Sequence, residues 1–447
     1  MSQKQKIKEL LPAFKKMPSV EVAEVLESLE ESSILEVFDR FEPEEQAKVF
    51  SHFEITRQLS FFQQISKKRF APIFENMASD DRCDLYQHMS QEEQAAILPY
   101  LSKAAREDVI KLSSYPPETA GGIMSTDFAT IQASMSVDSA MAKVRRDSPS
   151  KKMIYYVYVV DHRMKMVGFV SLKDLIMASP NQLISEILHD KFVFTTVDED
   201  RELVAKKIED YDLLAIPVLN QAGQLAGIVT QDDAIEVIRA EHTEDMEKFM
   251  GIMSESSEND YIHTSSWLHF KKRVVWIVSL AAVGILSGMI IHKFESTLEA
   301  LIILALYMPM VADTGGNSGS QAATVIVRAL ALGQIGPRQW LGIVFKEFKI
   351  SSMLAVCLGV LAFLKVLFLS WETSIPAEFT LTQLAFVISL ALSLQVVSAT
   401  CIGASLPLAV KRFGGDPAVA ASPAITTVVD ITGLLIYFTV TILLLGL

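Results

Sequence analysis

From residue 274 to its end the chain is dominated by long apolar runs, and these constrain its fold more than any other feature. A helix needs about 20 mainly apolar residues to cross the hydrocarbon core of a bilayer. Five stretches meet that demand, at about 274–291, 298–327, 350–369, 384–410 and 419–445. An all-α membrane domain of five helices is therefore expected over 271–447. The charges divide at the same place. Of 40 Lys and Arg, 11 lie from Lys271 onward, against 8 of the 53 Asp and Glu, so this part carries +3 and the first 270 residues carry −16. An acidic soluble half argues against a nucleic-acid partner, which needs clustered Lys and Arg, and it suits cations. Cys83, Cys357 and Cys401 are too scattered for a disulfide framework or a thiolate metal site. The opening MSQKQKIKELLPAFKK lacks the apolar core and cleavage site of a signal peptide, so the soluble half is expected in the cytosol.

Residues 1–124 read as an all-α, acidic, superhelical N domain, because they repeat at an offset of 48. Leu29…Phe41-Glu-Pro-Glu-Glu45-Gln46-Ala47…Phe53 matches Met77…Met89-Ser-Gln-Glu-Glu93-Gln94-Ala95…Leu101. Pro43 and Ser90 should open equivalent helices, with Glu in the first turn complementing the helix dipole. After Tyr115-Pro116-Pro117 strands and helices alternate, with a second repeat at an offset of 59: Gly168-Phe-Val-Ser171-Leu-Lys-Asp174 against Gly227-Ile-Val-Thr230-Gln-Asp-Asp233. A strand that delivers Ser or Thr to a helix start, with an acid three residues on, either caps that helix or holds a ribose hydroxyl. With Pro217 in Ala-Ile-Pro-Val, these residues resemble the cystathionine-β-synthase (CBS) pair, an α/β regulatory module that often binds adenine nucleotides. CBS domains are expected at 125–184 and 185–242, and an acidic plug or linker helix at 243–270.

Lys271, Lys272 and Arg273, then Arg328, Arg338, Lys346 and Lys349, then Lys411 and Arg412 fall on one side of the spans, while His292, Lys293, Glu295, Glu372 and Glu378 fall on the other. The positive side faces the cytosol, which puts the C-terminus outside. Two spans depart from plain lipid-crossing helices. In the second, Met308-Pro-Met-Val-Ala-Asp313-Thr-Gly315-Gly316-Asn317-Ser318-Gly319-Ser320-Gln321 predicts an interrupted backbone, tolerated where it is buried in protein or lines water. In the fifth, Asp430 follows Ser422-Pro423-Ala-Ile-Thr426-Thr427-Val-Val. A charge at such depth costs about 2.5–3.5 kcal/mol on insertion scales and marks an ion path; the competing reading is a hydrogen-bonded acid that fixes packing. Close helix approach likewise explains the glycines, though not Asp313, Asn317 and Gln321 together.

Mg2+ prefers oxygen ligands and sheds its water reluctantly, whereas no His lies inside a span and Cys357 and Cys401 each stand without a second thiol nearby, which speaks against a soft metal. One Asp430 per chain leaves a divalent ion half neutralised, so two chains related by a two-fold axis should pair their Asp430 carboxylates, with carbonyls and the hydroxyl of Thr427 or Thr426 in the outer shell. At this point the acidic helical repeat, Glu118-Thr-Ala-Gly121-Gly122-Ile-Met124-Ser, the CBS pair, the linker, Asp-Thr-Gly-Gly-Asn and Ser-Pro-Ala-Ile-Thr-Thr-Val-Val-Asp together resemble the MgtE magnesium channels and transporters over essentially the whole chain. The resemblance implies a homodimeric, Mg2+-selective channel of the cell membrane and not an enzyme. Its pore is lined by spans two and five, with Asp430 at its centre and Asn317, Gly316, Thr427, Asp313 and Ala424 as candidate neighbours. It also implies feedback: Mg2+ held between acidic cytosolic surfaces shuts the pore. Candidate sensor residues are Asp80 and Asp84, one turn apart, with Asp232, Asp233, Glu241, Glu244, Asp245, Glu255 and Glu258. ATP at the CBS pair, on Ser171, Asp174, Thr230 and Asp233, is a further implication. The competing functions are a CBS-regulated secondary transporter of another divalent cation such as Co2+ or of a small solute, an intramembrane hydrolase using Ser318, and a membrane sensor without flux.

Overall fold

The computed structural model describes residues 14, 17–27, 31–38, 40–147, 153–253, 261, 264–373, 375–420 and 422–446. Leu29, Glu255 and Glu258 lie outside them. The chain divides into two units, Met1–Glu241 and His242–Leu447.

The first unit opens with short helices at Ser19–Glu27, Glu31–Phe38, Pro43–Phe50, Ile55–Gln64, Lys67–Asn76, Ser79–His88, Gln91–Ile97 and Lys103–Leu112. The expected repeat is visible in how two of them start. Pro43 takes the first helical position, followed by Glu44 and Glu45. Forty-eight residues on, Ser90 Oγ accepts from Glu93 N while the Glu93 carboxylate accepts from Ser90 N at 2.9 Å, a reciprocal cap that satisfies two orphan donors. Helices this short are marginal alone, so tertiary packing holds them. Phe38, Phe50, Phe61, Phe62, Phe70 and Phe74 are all fully buried, and Phe62–Phe70 and Phe50–Phe70 meet edge to face at 5.1 and 5.4 Å. Each such ring contributes roughly 1.5–3 kcal/mol by burial.

Two three-stranded sheets follow: β1 Phe128–Ile131, β2 Met153–Val160 and β3 Met166–Ser171, then β4 Thr195–Thr196, β5 Ala215–Leu219 and β6 Leu225–Thr230. In each, the middle strand runs parallel to the first and antiparallel to the third. The 59-residue offset survives down to register, since Val159 faces Gly168 and Val218 faces Gly227. Both glycines are required by close approach: a Cβ on Gly168 would lie 2.3 Å from His189 O, and one on Gly227 would lie 2.6 Å from Met124 Sδ. The last helix of the first unit, Gln231–Phe249, runs without a break into the second.

Among the described residues of the second unit, four helical stretches are long and apolar enough to cross a membrane: Ser266–Lys293, Pro337–Leu369, Leu381–Arg412 and Ser422–Leu445. The first starts earlier than expected, so Lys271, Lys272 and Arg273 lie within the helix instead of before it. A fifth helix, Ile302–Ala331, has 30 residues, about 45 Å of length, but its polar run makes it less apolar. The expected interruption of that span is not present. The helix passes unbroken through Pro309, Gly315, Gly316 and Gly319, and the chain turns earlier, through the short helix Glu295–Ala300. The glycines serve packing. A Cβ on Gly403 would sit 2.1 Å from Gly319 O, and one on Gly319 would sit 3.0 Å from Ala399 O, so the two helices touch backbone to backbone, as small residues four apart allow. Leu381–Arg412 is the central helix, packed on Ile302–Ala331, Trp340–Leu369 and Ser422–Leu445. Over half of its apolar window is buried, whereas none of the window of Ser266–Lys293 is.

Candidate conduction site

Asp313, Gly316 and Asn317 fall at i, i+3 and i+4 of Ile302–Ala331, which places them on one face. Asn317 Nδ2 donates to Asp313 Oδ2 at 3.3 Å, and both side chains are exposed in the single chain. Asp430 stands in the first half of Ser422–Leu445 and is half-buried. The two helices meet at Gly316: a Cβ there would lie 3.1 Å from Thr426 Cγ2 and 3.9 Å from Asp430 Oδ1. Asp313 is near enough for its charge to act on Asp430. The sole basic residue in Ile302–Ala331 is Arg328, in its last turn, and Ser422–Leu445 has none.

The structure therefore brings Asp430, Gly316, Thr426 and Asp313 together, with Asn317 held through Asp313. Thr427 shares the face of Asp430 one turn earlier, and its hydroxyl donates to Pro423 O at 3.0 Å. Ala424 stands about 120° round the helix from Asp430 at 100° per residue. Gln321 is exposed. Among the described residues of one chain, no three His, Cys, Asp or Glu side chains converge to hold a metal ion. Two carboxylates facing the same space suit a cation that keeps most of its water.

Hydroxyl groups fasten these helices to one another. Ser318 Oγ and Thr400 Oγ1 lie 2.7 Å apart, and Ser320 Oγ is 3.0 Å from Ser422 Oγ and 3.3 Å from Thr426 Oγ1. At the end of the linking helix, Phe249 packs on Ala323, Ala399, Ile425 and Val429. Beside it Lys248 Nζ reaches both Glu244, at 2.7 Å, and Asp416, at 3.0 Å. Phe249, Lys248, Asp416 and Gln395 are site-forming residues that the sequence reading passed over. Gln395 carried a visible signal, as an amide in the middle of an apolar run.

In the first unit, Asp80 is buried and Asp84 is exposed on helix Ser79–His88. Crowding by protein atoms, and then the charges of Asp80, Asp81 and Glu236, push the Asp84 carboxyl up to about 7, against the opposing pull of Arg201. Arg201 bridges Glu118 and Glu241, each at 2.8 Å, so Glu241 already has a cationic partner within its own unit. Glu236, another residue missed in the sequence, joins this cluster. Asp232 and Asp233 lie in the first turn of Gln231–Phe249, and Glu244 and Asp245 belong to the second unit.

At the CBS motifs the helix-capping alternative is realised. Ser171 Oγ accepts from Asp174 N at 3.1 Å, and the Asp174 carboxylate accepts from Ser171 N at 3.0 Å. Thr230 N and Thr230 Oγ1 both donate to Asp233 Oδ2. His189 Nε2 stands 3.0 Å from Asp174 Oδ2, and hydrogen bonds from Ser171 and His189 outweigh burial to hold the Asp174 carboxyl low.

An α-helical domain whose helices are long and apolar enough to cross a membrane, with Asp313 and Asp430 on two neighbouring helices, following a CBS pair and an acidic helical domain in the chain, defines a membrane protein with regulatory modules. Comparison with known proteins narrows the class. Residues 308–440 match the family model described as MgtE, divalent cation transporter, residues 17–118 match the MgtE intracellular N domain, and 120–181 and 184–240 match CBS domains. The chain is 37% identical over 350 residues to the magnesium transporter MgtE of Thermus thermophilus, covering 77% of this chain and 74% of that one. It is 35% identical to the magnesium transporter MgtE of Enterococcus faecalis, covering 74% and 70%. A crystal structure of the soluble part of a magnesium transporter superposes with a TM-score of 0.51 at 33% identity, covering 54% of this chain and 94% of that one. The chain belongs to the MgtE family.

Proposed function

We infer that this chain conducts Mg2+ into the cell across the plasma membrane and is shut by Mg2+ on the cytosolic side. The observation that carries the reading is Asp430, set beside Gly316 and within reach of the charge of Asp313, on helices that offer it no base at that depth. An acid so placed is costly without a cation to receive. The names of the relatives, magnesium transporters, support the choice of ion. One Asp430 per chain supports a homodimer with paired carboxylates on a two-fold axis, and the bare face of Ser266–Lys293 is consistent with lipid or a second copy beside it. The side preference of the basic residues supports a cytosolic soluble half and an external C-terminus. Residues 1–124, 125–184, 185–242, 243–270 and 271–447 then act as N domain, two CBS domains, plug and pore.

Gating follows from charge. The acids around Asp84 repel one another, and divalent ions that bind the compact arrangement better shift the population toward it. Phe249 and Lys248, seated on the pore helices, would carry that state to the conduction path. Release of the capping pairs Ser171–Asp174 and Thr230–Asp233 would free the groups that a nucleotide ribose needs, so ATP is a candidate modulator.

The test is Mg2+ flux into proteoliposomes with wild type and Asp430→Asn, at low and high Mg2+ on the cytosolic side. Loss of flux in the variant and shut-off at high Mg2+ in the wild type are both expected. Undiminished flux in Asp430→Asn overturns the pore assignment, and flux that requires a proton or sodium gradient overturns the channel reading.

A further inference from the structure

Gln395 lies in the middle of Leu381–Arg412 and is completely buried. Its Nε2 donates to the carbonyl oxygen of Val429 at 2.8 Å, the carbonyl of the peptide that carries the amide of Asp430. Thr432 Oγ1 donates to the same oxygen at 3.0 Å. The side-chain Oε1 of Gln395 accepts from Ser398 Oγ at 3.2 Å, so both ends of the amide are engaged. The space it occupies exists because two residues lack a side chain. A Cβ on Gly315 would stand 2.5 Å from Gln395 Nε2, and one on Gly433 would stand 2.6 Å from it. Gly315 precedes Gly316 on one pore helix, and Gly433 is three residues after Asp430 on the other.

This amide is more than buried polarity made harmless. A glutamine in a membrane core can satisfy itself on any nearby carbonyl or hydroxyl, and a typical interhelical hydrogen bond there stabilises only modestly. What distinguishes Gln395 is its target, since the accepting carbonyl belongs to the peptide that sets the position and direction of the Asp430 side chain. Groups one step behind a metal-facing carboxylate orient it and tune its affinity. Two glycines on two helices leave room for this one side chain. A substitution at any of the three positions moves the same peptide.

The geometry points to Gln395 as a positioning residue for conduction: by holding the Val429–Asp430 peptide between the two glycine notches, it fixes how the Asp430 carboxylate meets a hydrated divalent cation and so sets discrimination by size. This rests on Asp430 being the pore carboxylate, and the experiment separates the two claims. Full-length protein is reconstituted in proteoliposomes, and flux of Mg2+ and of Ca2+ is measured against concentration for wild type, Asp430→Asn, Gln395→Met and Gln395→Glu. Gln395→Met keeps an unbranched side chain that can refill the space. Gln395→Glu keeps the shape and the acceptor for Ser398, and, neutral at this buried position, keeps an O–H that can donate to Val429, so it is the conservative variant. With Asp430→Asn inactive, the half-saturating Mg2+ concentration in Gln395→Met should rise about tenfold and the preference for Mg2+ over Ca2+ should fall by a comparable factor, while Gln395→Glu should restore most of both. A purely structural role would instead lower the maximal flux of both ions equally in Gln395→Met and leave half-saturation and preference unchanged, and that result overturns the proposal. Failure of both variants to give folded protein also overturns it, because Gln395 would then be needed for the fold and not for placing Asp430. Undiminished flux in Asp430→Asn removes the pore reading itself, whatever the Gln395 variants do.

Discussion

At the residue scale the membrane unit is governed by what its glycines make possible. Gly319 and Gly403 let two backbones touch, and the added methyl of Gly403→Ala would meet a carbonyl oxygen at 2.1 Å. No flexible side chain can yield there, so the helices must part. Such overpacking costs about 1–3 kcal/mol, and a lowered thermal midpoint of the detergent-solubilised protein is the expected result. Gly288, where an added Cβ meets nothing within 4 Å, is the control: Gly288→Ala should leave that midpoint unchanged or raise it, since Ala favours a helix by up to about 1 kcal/mol. In the CBS pair, Ser171→Ala removes the cap that opens helix Leu172–Met177. A loss of about 1 kcal/mol is expected, measured by chemical unfolding of the full chain followed through the first unit.

The proposed gating belongs to the scale of elements. The linking helix Gln231–Phe249 ends with Lys248 tied to Asp416 and Phe249 packed against the cluster of Ala323, Ala399, Ile425 and Val429. Lys248 and Asp416 are each about one-third exposed, so solvent screens the pair and its direct worth lies within about 0–1 kcal/mol. At its upper end, about 1 kcal/mol, that shifts a balance between shut and open states about fivefold. Lys248→Ala and Asp416→Asn should each raise residual Mg2+ flux at a cytosolic Mg2+ concentration that silences the wild type, and the double variant should do no more than the stronger single one, because both remove one interaction. Additive effects would show that the two residues act separately.

The helical elements also show what could be read in the amino-acid order. The repeats at 48 and 59 residues, the capping of Ser90 and Ser171, and the paired sheets were legible because they rest on local chemistry and periodicity. The supposed break in Ile302–Ala331 was misread for a physical reason. Glycine and proline weaken an isolated helix, but here neighbouring helices use the missing side chains for contact, and packing restores what propensity loses. Glu241 pairs with Arg201, 40 positions earlier. No pattern in the sequence announces a partner at such a distance.

For the molecule as a whole, the acidic charge links stability to pH and to Mg2+. In the folded protein the Asp84 carboxyl is raised from 3.8 to about 7. The folded state therefore binds more protons than the unfolded one between those values, and the stability this site contributes is full below about 3.8 and lost as pH rises through about 7. Without Mg2+, the thermal midpoint of the first unit should fall between pH 5 and 8, and Asp84→Asn should flatten that fall. Mg2+ needs the ionised carboxylate, so half-maximal channel closure should require more Mg2+ at pH 6 than at pH 8. A closure threshold independent of pH would place the sensor away from Asp84.

Sequence alone determined the large divisions of this protein. Apolar runs demand a bilayer, acidic repeats demand water, and a carboxylate in an apolar run such as Asp430 demands either a partner or an ion path. Those conclusions follow from the cost of putting each residue type in the wrong solvent, which depends on composition along the chain. Tertiary structure decided which groups meet. Close helix approach at Gly316, Gly319 and Gly403 brings Asp313 and Asp430 toward one space, and Gly315 and Gly433 leave room for Gln395 at the Val429 carbonyl. Those pairings depend on how far side-chain volume lets helices approach. That is a property of neighbours in space, many positions apart in the chain.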